Sequence, residues 1–363
     1  MPCRYEERAL ACLWGVAVGD AMGKMTEGYW PYEIPAAYGG PVTGFREPIQ
    51  PRSRHKWGYA EVTDDTRFTL LVAASIIEKG RVDRRDIARR ILERPIKGWP
   101  GWEEFKAANN LDHIGYRTGN GAPMRIAPVG ILNPPYDLRR LVDDVEAACI
   151  MTHYVSSAIS AACAIAAAVS AAIEGWSKKE LLELAMEAAR EGRKRGRPDG
   201  APPIEEVVRV GLHKLEGAET GIGWALRGLN PGFEAWEGAS FALCLVWGCD
   251  GAKEAILEAV NQGGDADSIA SMAGGILAAL NPGSLPAKWI AEVKRANGFD
   301  LAPVAKALAG LRSKRAMHRV VPIPADPIRT LRGCARGEKL LERLLKARQE
   351  DRKHEQDENE HLG

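Results

Sequence analysis

The chain has 363 residues, 45% of them hydrophobic, enough for one large domain or two ordinary ones around a substantial core. Its 49 lysines and arginines nearly balance 48 aspartates and glutamates, leaving a formal net charge of +1. That balance argues against a protein whose main partner is nucleic acid or an anionic membrane.

The chain opens Met1-Pro2-Cys3-Arg4-Tyr5-Glu6-Glu7-Arg8, too charged for a secretion signal and without its apolar core. The expected location is the cytoplasm. Cys3, Cys12, Cys149, Cys163, Cys244, Cys249 and Cys334 form no C-x-x-C pair, so they read as buried thiols in a reducing compartment, not as a disulfide framework or zinc site.

From there the 3.6-residue period dominates. It predicts helices over Glu6–Val18, Asp65–Lys79, Arg84–Glu93 and Leu138–Met151, then over Tyr154–Glu174, Lys178–Arg190 and Ile204–Glu216. Further helices follow over Glu234–Trp247, Ala252–Asn261, Asp267–Leu280 and Leu301–Leu311. Alternating β-branched patterns are nearly absent, so the fold class is all-α. The segment Tyr154–Ile173 approaches the length of a membrane span, but it is built from Ala, Ser and Cys, whose transfer into lipid is weak. Its small side chains suit the central helix of a bundle instead. Gly39-Gly40-Pro41, Trp99-Pro100-Gly101-Trp102, Asn133-Pro134-Pro135, Pro198 to Pro203 and Asn230-Pro231-Gly232 are turn chemistry between helices. No repeat of 20–50 residues is visible. Residues 1–312 are expected to form the helical domain. Residues 313–363 are expected to form an extension, in which Val321-Pro322-Ile323-Pro324 leads into a charged helix and tail.

Two acidic clusters stand out. In Val62-Thr63-Asp64-Asp65-Thr66, a threonine suited to N-capping precedes two carboxylates at a helix start. In Gly263-Gly264-Asp265-Ala266-Asp267-Ser268, glycines free the backbone before two carboxylates and a hydroxyl at another helix start. Such oxygen ligands suit magnesium, manganese or calcium, and no cysteine or histidine lies beside them to suggest zinc. Four carboxylates meeting without cations would repel severely. Taken alone, either cluster is more often just an N-cap with favourable charges. The second is no EF-hand, since Ala270 stands where that loop needs glycine and Ile276 where it needs glutamate.

Five segments in order resemble the ADP-ribosylglycohydrolase family, the group of ADP-ribosylhydrolases, dinitrogenase-reductase-activating glycohydrolases and J1-crystallins. They are Gly19-Asp20-Ala21-Met22-Gly23 with Glu27 four residues on, Thr63-Asp64-Asp65-Thr66, Gly119-Asn120-Gly121-Ala122-Pro123-Met124-Arg125, Thr152-His153, and Gly263 to Ser268. The resemblance covers about Leu10 to Leu280. It implies an orthogonal helical bundle with a binuclear magnesium site in a cleft, manganese or calcium being substitutes. By position, Thr63, Asp64, Asp65, Asp265, Asp267 and Ser268 would hold the metals. Glu27, Asp64 and Asp65 would take part in catalysis, Glu27 as ligand or acid/base, with Asp20 supporting from behind. Gly119, Asn120, Gly121 and Met124 would contact substrate, the glycine-rich turn offering amides to a diphosphate. Without the family this stretch is only a turn, because Met124 stands where G-x-G-x-x-G needs its last glycine. His153 would touch ribose or phosphate, or else be a structural hydrogen bonder. Arg125 would face phosphate or join a buried pair.

The resemblance implies a metal-dependent hydrolase of the N-glycosidic bond at C1 of a ribose, a monomer acting on an ADP-ribosylated protein or small ribosyl conjugate. The alternatives are a hydrolase of a smaller N-riboside such as a nucleoside, and a non-catalytic, crystallin-like binding protein. The chain departs from the pattern at Ser268, where threonine is usual; at Pro123, which removes an amide hydrogen from the supposed cradle; and at Val62, which alters a pocket wall. The segment 192–232 is enlarged and begins Arg193-Lys194-Arg195-Gly196-Arg197, a basic lid or a solvated charge run.

Overall fold

The computed structural model describes residues 4–49, 55–99, 101–216, 221–226 and 228–317. Its helices are α1 (Arg4–Gly23), α2 (Glu33–Tyr38), α3 (Asp64–Lys79), α4 (Arg84–Glu93), α5 (Trp102–Ala108), α6 (Ala127–Leu132), α7 (Leu138–Cys149) and α8 (Ser156–Glu174). They continue with α9 (Lys178–Arg193), α10 (Ile204–Glu216), α11 (Ile222–Ala225), α12 (Ala235–Gly248), α13 (Ala252–Gln262), α14 (Ala266–Leu280), α15 (Ala287–Asn297) and α16 (Ala302–Met317). A single 3₁₀ turn, Pro123–Arg125, precedes α6. No strand occurs among the described residues, only isolated bridges. The protein is all-α.

The periodic segments became helices where local chemistry could start them. Ser177 and Glu180 form a reciprocal capping box on α9. Asp83 and Asp137 accept from the backbone amides of Asp86 and Arg140 to cap α4 and α7. The short helices α2, α5, α6 and α11 carry too little period to be read from sequence. Helix α15 was missed because it buries only Trp289 and Val293, too narrow a stripe to register.

Helix α8 is the centre. Every residue of it but Glu174 is buried, and α6, α7, α9, α12 and α14 pack around it. Its membrane-like length and composition therefore belong to a core helix.

Helices α1 and α14 pack most extensively, and they run antiparallel. Gly15, Gly19 and Gly23 recur every four residues on one face of α1. A Cβ on each would stand 2.3, 2.2 and 2.3 Å from the carbonyl oxygens of Gly274, Ala270 and Ala266. The backbones thus touch along three turns. Arg8, near the start of α1, donates to the carbonyls of Ala279 and Leu280, both at 2.7 Å, closing the far end of α14. This register sets the C-terminal end of α1 beside the N-terminal end of α14.

The compact unit closes at Met317. Buried Arg312 donates to the carbonyls of Ile131 (3.1 Å), Asn133 (2.7 Å) and Ser170 (3.2 Å), and Arg315 pairs with Asp144 at 2.7 Å. Residues 313–317, expected in the extension, are the last turn of α16. The rest of that extension, with its Pro-rich stretch and charged tail, lies outside the described residues.

Candidate active site

Three helix ends meet at one cleft: the C-terminus of α1 and the N-termini of α3 and α14. Gly263 and Gly264, both at positive φ, make the approach to α14. A Cβ on either would collide with a carbonyl oxygen, that of Tyr29 at 2.1 Å or of Pro231 at 2.0 Å. The chain is held there by Gly264 N–H donating to Tyr29 O (3.0 Å) and Asp265 N–H to Pro231 O (2.8 Å).

Asp20, fully buried on α1, organises the start of α3. Its carboxylate accepts from Thr63 N (3.0 Å), Thr63 Oγ1 (2.7 Å), Thr66 N (3.0 Å) and Thr66 Oγ1 (2.5 Å). The expected N-cap by Thr63 is therefore corrected. The Thr63 side chain makes no cap, and a carboxylate from another helix does that work. The Thr63 hydroxyl is buried away from the cleft wall, 3.3 Å from Asp65 Oδ2.

The carboxylates fall into two overlapping trios. Oxygens of Asp20, Asp65 and Asp267 lie within 4.8 Å of one another, as do those of Glu27, Asp265 and Asp267. Asp267 belongs to both. The Asp20 oxygens already accept several hydrogen bonds, so Asp20 backs the first trio more than it lines it. Ser271 donates to Asp65 (3.2 Å), the Ser268 amide to Asp267 (3.0 Å), and Asn120 Nδ2 to Asp265 (2.5 Å). Ser268 Oγ lies 3.8 Å from Met124 Sδ at the cleft wall.

Burial, and then Asp267 and Asp20, push Asp64 up to about 7. The same causes hold Asp65 well above the usual carboxylate range, and burial followed by Asp267 does so for Asp265. Desolvated like charges of this density call for cations. An all-oxygen donor set, with no cysteine or histidine in either trio, fits hard divalent ions.

The facing wall is the loop 115–121. It is pinned by Arg117 N–H to Thr152 O (3.1 Å) and Asn120 N–H to Phe233 O (3.0 Å). This removes one donor from the expected phosphate cradle, because the Asn120 amide is taken up by a backbone carbonyl while its side chain holds Asp265. Pro123 does not line the cleft. It is buried at the first position of the 3₁₀ turn, away from the cleft wall, where a missing amide hydrogen is tolerated. Val62 also lies off the cleft, in a different pocket beside Arg67 and Ile96. Gly119 and Gly121 do line the cleft, and a Cβ on Gly121 would meet the His153 ring at 2.6 Å.

His153 is oriented by a buried chain. Arg125, fully buried and off the cleft, donates to Thr152 Oγ1 at 2.5 Å. Among the described residues it makes no ion pair, and its guanidinium stands 5.2 Å over the Phe68 ring. Thr152 Oγ1 lies 2.8 Å from His153 Nδ1 and 3.3 Å from Cys149 O, the shorter contact being the one that a hydroxyl donating to Nδ1 would make. In that arrangement the neutral ring carries its proton on Nε2. Burial, then Arg125 and Arg117, depress the imidazole well below its ordinary value, so it faces the cleft as a neutral donor.

The cleft, about 350 Å³, is lined by these groups together with Trp99, Arg117, Phe233 and Lys24, none of which was singled out from sequence. Lys24 had a readable signal, standing three residues before Glu27 at the end of the small-residue motif. It pairs with Glu27 Oε2 and lies 3.4 Å from Asp267 Oδ2. In the basic run that begins at the end of α9, Arg195 pairs with Asp143 (2.8 Å) and Glu146 (2.7 Å), and Arg193 donates to Ala201 O (2.5 Å).

The model of the family described as ADP-ribosylglycohydrolase matches residues 1–352, well beyond the stretch whose motifs carry the resemblance. YegU of Escherichia coli, an uncharacterised protein, is 29% identical over 332 residues, covering 85% of this chain and 98% of YegU. The ADP-ribosyl-[dinitrogen reductase] glycohydrolase of Rhodospirillum rubrum is 30% identical over 146 residues, 36% of this chain and 47% of that protein. A solved structure described as an ADP-ribosylglycohydrolase-related protein complex superimposes with a TM-score of 0.61 at 25% identity, over 85% of this chain and 99% of that one.

Proposed function

This chain belongs to the ADP-ribosylglycohydrolase family, a family of glycohydrolases, and on that premise we propose that it cleaves the N-glycosidic bond at C1 of a ribose with the help of divalent cations, magnesium first among them. The favoured substrate is an ADP-ribosylated protein side chain or a small ADP-ribosyl conjugate. The observation that carries this reading is the pair of carboxylate trios sharing Asp267 at the cleft.

Bound there, divalent ions would fix vicinal ribose hydroxyls and acidify a nearby water. Asp65, Asp265 and Asp267 would hold them, with Asp64 and Ser268 completing the donor set and Thr63 and Asp20 holding those residues in place. Glu27, at the rim with about a quarter of its side chain exposed, would take a proton from the attacking water or give one to the leaving group. Neutral His153 offers Nε2–H to a hydroxyl or phosphate oxygen, and Arg117 adds positive charge at the cleft wall. The five described cysteines are buried and unbridged, which suits a protein working in the cytoplasm.

A smaller N-riboside is the second reading. It is favoured by the occupied Asn120 amide, which takes one donor from the expected diphosphate cradle. A panel of ADP-ribosyl conjugates and N-ribosides, incubated with magnesium and assayed for free ADP-ribose or ribose, separates the two. Product that disappears with chelator and in both Asp64→Ala and Asp265→Ala supports the hydrolase reading. A panel without metal-dependent product leaves a non-catalytic binding protein.

A further inference from the structure

The two carboxylate trios are not equivalent, because Lys24 contacts two members of one and only the shared Asp267 of the other. Lys24 is buried, 9% exposed, and its ammonium contacts Glu27 and Asp267, two of the three members of the second trio. It makes no ion pair with Asp65 or Asp20 of the first trio among the described residues. Asp267, Asp64, Asp20 and Asp65 all act to keep it charged against the cost of its burial.

We propose that the Lys24 ammonium occupies the second cation position, so that divalent ions load in order. This rests on the reading of the cleft as a divalent-ion site. Asp65 and Asp267 would hold the first ion, since Lys24 touches only the shared Asp267 of the first trio and makes no ion pair with Asp65 or Asp20 among the described residues. The second reaches Glu27, Asp265 and Asp267 only by displacing Lys24, since an ammonium and a divalent ion compete for the same oxygens and repel at that separation. Lysine suits this role: its charge sits at the tip of a flexible four-carbon arm, and Lys24 borders the open cleft into which that arm can withdraw. While paired with Lys24, Glu27 is also withheld from a second ion, which couples the proposed acid/base group to metal loading.

The test is manganese binding to the full chain, followed by equilibrium dialysis and by electron paramagnetic resonance. In the wild type, the second manganese should bind at least tenfold more weakly than the first. The spectrum should remain that of isolated ions until the first position is filled. In Lys24→Met the second affinity should rise at least tenfold and a spin-coupled pair should appear at low loading. Lys24→Gln, which keeps a polar tip without the charge, should behave like Lys24→Met, and Lys24→Arg should keep the wild-type separation. Equal affinities in the wild type, or an unchanged second affinity in both neutral variants, overturn the proposal. No bound manganese in any of the proteins overturns the metal reading itself, and this inference with it.

Discussion

Gly19 of α1 lies so close to Ala270 of α14 that a Cβ on the glycine would stand 2.2 Å from the alanine carbonyl oxygen. This contact is the middle one of three, and the register they impose delivers Asp20, Lys24 and Glu27 to the start of α14. The proposed metal binding would therefore depend on glycines that are not themselves among the carboxylate ligands. Gly19→Val is expected to lower stability by about 3 kcal/mol, at the upper end of overpacking costs, and to abolish divalent-ion binding. Urea unfolding and manganese dialysis measure the two effects. A variant with native stability and native metal affinity would show that the α1–α14 contact does not position the site.

Removing the carboxylate that caps α3 should act in the same direction. Asp20→Ala leaves the Thr63 and Thr66 amides without their acceptor in a fully buried setting. A loss of about 2 kcal/mol is expected, in the range of a lost cap and unpaired donors. Weaker ion binding should accompany it as Asp64 and Asp65 lose their anchorage. Denaturant titration with and without magnesium reads both.

The raised pKa of Asp64 gives a pH dependence with a definite sign. In the fold this group titrates near 7, against about 4 in an unfolded chain. Between those values the metal-free folded state holds a proton that the unfolded state has lost, so the Asp64 contribution to stability falls as pH rises from about 4 to about 7. Below that window both states are protonated. The expected result is that the melting temperature of chelated wild type, relative to Asp64→Asn, declines from pH 5 to pH 7.5. Magnesium should reverse the decline. A relative melting temperature that climbs over that range would contradict the account of the carboxylates.

The Arg125–Thr152–His153 chain is open to direct spectroscopy. In the wild type, ¹⁵N shifts of His153 should show a neutral ring protonated at Nε2 across pH 6–8. Thr152→Val removes the hydroxyl donor to Nδ1 and should release that tautomer, with kcat/KM falling about tenfold, while Thr152→Ser retains both. A variant that keeps its tautomer but loses activity would reduce Thr152 to a packing role.

The features legible in the sequence were those carried by local chemistry. The clusters Thr63-Asp64-Asp65 and Asp265 to Ser268 are contiguous, and each opens a helix whose period is plain. That they meet was implied only by the ordered resemblance, because nothing local encodes the proximity of residues some two hundred positions apart. The device that joins them, Gly15, Gly19 and Gly23, is a pattern of absent side chains, invisible to a scan for apolar stripes. Lys24 escaped notice because a lysine near the end of a helix reads as an ordinary response to its dipole. Thr63 looked like a cap because its residue type suits one, yet tertiary structure supplied a stronger acceptor in Asp20. The Asn120 amide looked available for phosphate because sequence does not reveal that Phe233 O lies within hydrogen-bond reach of it.

Crystals grown with manganese and measured at its absorption edge give the most direct test of the central claim. The expected map carries an anomalous peak bounded by the carboxylates of Asp65 and Asp267, at the meeting of α3 and α14. A map with no peak there, or with manganese bound only elsewhere on the molecule, would contradict it.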